Sequence, residues 1–220
     1  MAILVAANLL NNWLLPQAYV LTCLAAAGVL LLLARRDGCS WTDLGLGARR
    51  LRPGLRWAAV VVTAVALVYT VAAALPATRR GFADSRATSL SAAAVLWHVA
   101  VRIPLGTAVL EETAFRGVLY AMLARRRGVR AAITGSSLLF GLWHVLPSIG
   151  LRNANAAVGN LVGPGLAGEV MAVTLAAVGA TLAGVALCEL RRRSGSLLPP
   201  LAVHWALNAL GLLFAWALRT

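Results

Sequence analysis

The chain has 220 residues, 60% of them hydrophobic and 12% charged, with a mean hydropathy of +0.81, too apolar for a soluble domain covered by polar groups. It reads as one all-α membrane domain over residues 1–220, a polytopic bundle of six helices. Six segments of about 20 residues, each able to cross a hydrocarbon core of roughly 30 Å, leave no room for a soluble domain. The formal charge of +13 comes from 20 arginines, without lysine, against 7 acids. Arginines clustered beside apolar runs are topology signals, which excludes a nucleic-acid partner and leaves membrane lipid as the surroundings.

Met1 to Leu10 is apolar but too short to span, and is expected to lie at the interface. No arginine precedes Arg35, so the basic flank of a cleavable signal peptide is missing and the first span is expected to stay. Apolar runs follow at 13–34, 57–75, 89–124, 131–148, 169–190 and 197–218. In the third, Pro104 either kinks one helix or separates two. A single kinked crossing puts the loops 35–56, 125–130 and 191–193 on one side with 6, 4 and 3 arginines, 13 in all, and leaves Arg79, Arg80, Arg86, Arg152 and Arg219 on the other. By the positive-inside rule this bias favours six crossings with both termini outside. Residues Gly150 to Gly168, rich in Gly and Asn, read as an external loop or a re-entrant piece. Cys23, Cys39 and Cys188 lack metal-ligand spacing and read as core thiols.

An ionisable group inside a span costs a few kcal/mol, so each one asks for a partner or a function. The set here is His98, Arg102, Glu111, Glu112, Arg116, His144, Glu189 and His204, with Asn208 as a neutral companion. Glu112 and Arg116, Phe140 and His144, and His204 and Asn208 stand at i, i+4 and share helix faces. Measured from the arginine-rich edge at about 1.5 Å per residue, Glu111, His144 and Asn208 lie roughly 20 Å deep and His204 roughly 14 Å. Three helices thus bring carboxylate, imidazole and amide to one level. His98, beside Trp97, reads as an interfacial or core histidine, and Glu189, beside Arg191 to Arg193, as a membrane-edge charge. Arg102 pairs with a carboxylate or a lipid head group.

Such groups suit the activation of water. A carboxylate takes its proton, one imidazole orients it or binds a metal, and a second imidazole with an amide donates to a developing oxyanion. Two neutral histidines and a carboxylate also make a tetrahedral zinc set with one open position. The residues alone leave both routes open. There is no H-E-x-x-H and no G-x-S-G, and Asp37, Asp43 and Asp84 all sit in loops, which excludes the common zinc, serine and two-aspartate patterns.

The run Glu111-Glu112-Thr113-Ala114-Phe115-Arg116, then Phe140 to His144, then His204 to Asn208, resembles the E-E-x-x-x-R, F-x-x-x-H and H-x-x-x-N motifs of the CPBP family of CAAX proteases and bacteriocin-processing enzymes, the Abi proteins. The resemblance covers about residues 104–211, with Ser194-Gly195-Ser196-Leu197 ahead of the last motif. It implies an intramembrane endopeptidase hydrolysing a peptide bond near the inner leaflet, with Glu111 and His144 activating water and His204 and Asn208 holding the oxyanion. Glu112 and Arg116 then form a supporting pair, and Phe115 and Phe140 pack. The family is described as metalloprotease, which makes Glu111, His144 and His204 the ligands of a Zn2+ if one is bound, and a metal-free glutamate mechanism is also argued.

Arginine-only, alanine-rich usage points to a GC-rich bacterial genome and a multi-pass protein of its plasma membrane, where prenylated CAAX substrates are not expected. The substrate is then another peptide or a membrane protein, as in peptide maturation or bacteriocin self-immunity. The second class of reading is a non-proteolytic binding or immunity factor, or a proton-coupled carrier using Glu111 and Glu112. The lack of an inverted repeat counts against the carrier.

Overall fold

The computed structural model describes residues 2–218, without the side chains of Asn12 and Trp13. The expectations placed on Met1 and Arg219 lie outside the described residues.

Helices follow the apolar runs. Ala2–Leu9 forms α1, Tyr19–Arg36 α2, Leu51–Ala74 α3, Ala92–Trp143 α4, Gly165–Ser194 α5 and Leu198–Ala217 α6. Their ends are written in the sequence. Arg35 and Arg36 close α2, where cations complement the helix dipole. The Ser91 hydroxyl accepts the Ala94 amide to open α4. Gly195, at φ +66°, stops α5, and Pro199 and Pro200 occupy the first turn of α6, where no intrahelical donor is lost.

Five helices are long and apolar enough to cross a membrane, against six expected crossings, because one of them spans Ala92–Trp143, 52 residues. Its length, about 78 Å if straight, exceeds twice a hydrocarbon core. Gly128 resolves the excess. Its φ of 81° and ψ of 171° are non-helical, and the arms 92–127 and 129–143 fold back on each other, with the Ser136 hydroxyl donating to the Phe115 carbonyl at 2.7 Å. Pro104 does not divide the first arm. Residues His98–Ala108 and Thr113–Leu119 form wide, i→i+5 turns, which accommodate a proline ring and its missing N–H without ending the helix.

The second arm of α4 packs along α5, α6 along α3, and α2 against the first arm of α4. Small residues permit the closest approach: a side chain on Gly184 would stand 3.0 Å from the Ser137 backbone. The outer faces are apolar, with Leu32, Val60, Leu138 and Leu182 all more than half exposed, which is the surface a helix shows to lipid. The opening segment packs one face on the bundle: Leu4 and Ala7 are buried in the same core as Phe115 and Phe140, while Val5 and Leu9 stay exposed.

The two ends of the bundle differ. At one, Asp37 pairs with Arg126 at 2.5 Å, Arg191 donates to the Asp43 carbonyl at 2.8 Å, and the Leu197 amide donates to the Gly45 carbonyl at 2.9 Å. The three arginine-rich connections therefore meet, as the charge count requires. At the other end, Asp84 bridges Asn155 and the Ser85 hydroxyl donates to the Ala154 carbonyl. Here the stretch read as an external loop or re-entrant piece contains two short helices, Leu151–Ala154 and Ala156–Val162.

Candidate active site

Glu111 and Glu112 lie between the two wide stretches of α4, and both are buried. Adjacent helix positions point about 100° apart, so the two carboxylates serve different neighbours. Arg116, one turn on, donates from Nη1 to Glu112 Oε1 at 3.0 Å, and His204 Nδ1 on α6 donates to the same oxygen at 2.7 Å. Arg116 and Glu112 are fully buried, and the guanidinium lies 3.9 Å from the centre of the Phe140 ring. An aromatic face and an opposite charge are what a desolvated guanidinium needs.

Glu111 faces the imidazoles. Its Oε2 lies 3.9 Å from His144 Nε2 and 3.7 Å from His204 Nε2, beyond hydrogen-bond range, and has no hydrogen-bond partner among the described residues. His144 follows directly on the short second arm of α4, whose 15 residues reach only about 22 Å; this sets the ring inside the membrane. Its Nδ1 donates to the Phe140 carbonyl at 2.8 Å, as His204 Nδ1 does to Glu112. With both Nδ1 atoms engaged, both Nε2 atoms are free to accept or ligate toward one buried carboxylate oxygen. Phe140 holds the two rings in place, edge-on at 4.5 Å to His144 and 6.0 Å to His204. Asn208 donates one amide hydrogen to the His204 carbonyl at 3.0 Å, which leaves its second hydrogen and its oxygen for another molecule.

Glu111, His144, His204 and Asn208 line one cavity of about 370 Å³. Its wall includes Tyr19, Thr107, Trp143, His98 and Arg102, and its outer part Arg86, Pro147, Ser148 and Leu151. A second recess of about 660 Å³ shares Arg86, His98, Arg102, Ile103 and Asn208 with it. The expected site residues are thus brought together. His98, read as interfacial or core, lines both spaces, and its neighbour Arg102 has no carboxylate within 4.0 Å among the described residues. Arg102 lies 4.2 Å from the centre of the Tyr19 ring, with Nη1 3.4 Å from His98 Nε2. Tyr19 carried no signal in the sequence, whereas Thr107, one turn before Glu111, could have been found by spacing. Glu189 pairs with Arg192 and Arg193 at 2.7 and 2.6 Å, away from the cavity. At the outer wall Arg86 grips Asp84 with two bonds, of 3.0 and 2.6 Å; burial works to raise the Asp84 carboxyl, and the guanidinium overrides it and holds it below its ordinary value.

Two imidazoles and a carboxylate are donor types that zinc takes. Tetrahedral ligands at about 2.0–2.2 Å stand about 3.3–3.6 Å apart, and the separations of 3.7 and 3.9 Å lie just wider than that. Glu112 and the Phe140 carbonyl aim the imidazoles as outer partners of zinc ligands do. Among the described residues no group of three His, Cys, Asp or Glu side chains is placed so that it could hold a metal ion as it stands.

Against known families, a model described as type II CAAX prenyl endopeptidase Rce1-like matches residues 93–210, more than half of the chain. The chain belongs to this family. No curated protein and no solved structure matches it. The match begins upstream of Pro104, so it takes in the wide stretch that carries His98 and Arg102 as well as the three motifs. An Rce1-like chain is a member of a membrane-protease family, and its five long apolar helices make it a multi-pass membrane protein.

Proposed function

We propose that this Rce1-like chain is an intramembrane endopeptidase in which Glu111 and His144 activate the water that attacks a peptide carbonyl. The observation that carries the reading is the buried Glu111 Oε2 facing the Nε2 atoms of His144 and His204 at 3.9 and 3.7 Å on the wall of one cavity. A water in the cavity, bridging these atoms from the side, gives its proton to the carboxylate as its oxygen bonds to the carbonyl carbon. The carbonyl oxygen becomes an oxyanion, to which the spare Asn208 amide hydrogen donates, joined by His204 Nε2 when that ring is doubly protonated. The C–N bond then breaks, Glu111 returns the proton to the leaving amine, and a new carboxylate and a new amine depart. Glu112 and Arg116 act through His204, holding its ring toward Glu111. A Zn2+ held by Glu111, His144 and His204 would supply Lewis acidity to the same water.

The reaction is proposed on the side away from the arginine-rich connections, in place of the inner-leaflet position implied by the resemblance. Arg86, Pro147, Ser148 and Leu151 belong to connections at the opposite end, and no lining residue comes from 35–56, 125–130 or 191–193. Substrates are peptides or membrane proteins reaching the cavity from that end.

The test compares new protein termini in membranes of cells producing wild type or Glu111→Gln at equal abundance. Termini made by wild type fall about 10²- to 10⁴-fold with the variant, the range for loss of a general base, and His144→Ala behaves alike. Identical sets of termini would overturn the protease reading and favour the binding or carrier class.

A further inference from the structure

We propose that Arg102 is the anion-binding element of the substrate site, receiving a peptide carboxylate about three to four residues from the bond cleaved. The inference rests on the protease reading of the same cavity and adds to it the chemistry of the substrate.

Every other acid of the chain is committed elsewhere. Glu112 pairs with Arg116, Asp84 with Arg86, Asp37 with Arg126, Glu169 with Arg152, and Glu189 with Arg192 and Arg193, while Asp43 accepts from Ser40. Glu111 faces the two catalytic imidazoles. Arg102, within the apolar span Ala92–Trp143, has no carboxylate within 4.0 Å among the described residues. By the depth count it stands at the far rim of the core, roughly 33 Å from the arginine-rich edge; what singles it out is a guanidinium lining the cavity without a counter-charge.

Its position is nonetheless fixed. The guanidinium lies against the Tyr19 ring, Tyr19 is tied through its hydroxyl to Thr107 Oγ1 at 2.9 Å, and His98 flanks it. Stacking leaves the in-plane N–H groups of arginine open; Nη1 also reaches His98 Nε2 at 3.4 Å, and the remaining N–H groups form the fork that matches a carboxylate. Arg102 lines both spaces at the place where they share a wall, so a chain running from one to the other passes it. Nine residues separate it from Glu111, which caps the axial separation at about 13 Å, since the wide turns of His98–Ala108 rise less than an α-helix. An extended peptide covers that in about three to four residues, at roughly 3.3–3.6 Å each. The carboxylate comes from one of two sources: the C-terminus of the substrate, or an Asp or Glu side chain at that spacing.

The experiment requires no catalysis, so a failure of the protease reading and a failure of this one are told apart. Purified Glu111→Gln protein in detergent is titrated with acetylated tetrapeptides of apolar residues in three forms: free acid, C-terminal amide, and amide carrying one glutamate. A charged hydrogen-bonded contact makes the free acid or the glutamate peptide bind about 10- to 100-fold more tightly than the plain amide. Which of the two gains identifies the source. Adding Arg102→Gln abolishes the gain. Arg102→Lys, which keeps the charge and loses the fork, retains part of it, and decides the matter if the glutamine variant does not fold. Equal binding of all three peptides, no binding of any, or a gain that survives Arg102→Gln overturns the proposal. Cleavage by wild type that is indifferent to the carboxylate would leave the protease standing and remove the subsite alone.

Discussion

A fully buried ion pair is a poor source of net stability, because desolvating two charges costs as much as their attraction returns. Glu112 and Arg116 are such a pair, and Glu112 has a further partner: its Oε1 also accepts from His204. The pair is therefore explained by what it holds. Arg116→Ala leaves an uncompensated carboxylate among apolar side chains and should lower stability by about 3–5 kcal/mol, read as the unfolding midpoint in detergent. Combining Glu112→Gln with Arg116→Met, which removes both charges, should restore most of that loss. Cleavage should stay about 10- to 100-fold below wild type, the usual cost of removing the group that aims a catalytic imidazole. A double variant with full activity would show that Glu112 does not position His204. The i, i+4 spacing of Glu112 and Arg116 was legible in the sequence; the bond to His204, 92 residues away, was not, since it depends on how α6 crosses α4.

At the scale of elements, the site depends on α4 folding back at Gly128. The backbone there has φ 81° and ψ 171°, a region open to glycine almost alone, and no atom stands within 4 Å of where a Cβ would be. Gly128→Ala should thus cost about 1–3 kcal/mol through backbone strain only, with cleavage per folded molecule unchanged; a midpoint equal to wild type would sink this account. The motif residues, the six apolar runs and the common depth of the site could all be read from spacing. The Gly128 turn was legible as a charged loop, though its conformation was not. The continuity of α4 through Pro104 was hidden, because the wide turns that absorb the proline carry no periodic signature. His98 and Arg102 sit in one of those stretches, and their relation to Glu111 could not be read from a regular helix. At the opposite end of the molecule, the Ser40 amide and hydroxyl hold the Asp43 carboxyl below its ordinary value of 3.8. A carboxyl depressed in the folded state stabilises above its unfolded pKa, and that contribution fades as the pH falls through the folded one. The unfolding midpoint of wild type should drop below about pH 4 more steeply than that of Asp43→Asn; parallel curves would remove Asp43 from the acid response.

The whole molecule has an arginine-rich end and an end toward which the cavity opens, and their relation bears on which side of the membrane the proposed chemistry faces. The loops 35–56, 125–130 and 191–193 hold 13 arginines, and the opposite connections hold Arg79, Arg80, Arg86 and Arg152. The contacts of Asp37 with Arg126, Arg191 with the Asp43 carbonyl and Leu197 with the Gly45 carbonyl gather the first set on one face. By the positive-inside rule basic loops of this length stay cytoplasmic, and on the proposed reading the outer wall of the cavity, built from Arg86, Pro147, Ser148 and Leu151, should then face away from the cytoplasm. Cysteine labelling decides this. The native thiols Cys23, Cys39 and Cys188 are buried, which leaves an introduced one as the reporter. In intact bacterial cells producing the protein, a membrane-impermeant maleimide should label Asn160→Cys and reach Arg127→Cys only after lysis. The reverse pattern would place the arginine-rich face outside, against the charge rule, and would turn the cavity toward cytoplasmic peptides. The expected pattern confines substrates to peptides and membrane proteins presented on the outer side, which is where a search for new termini should begin.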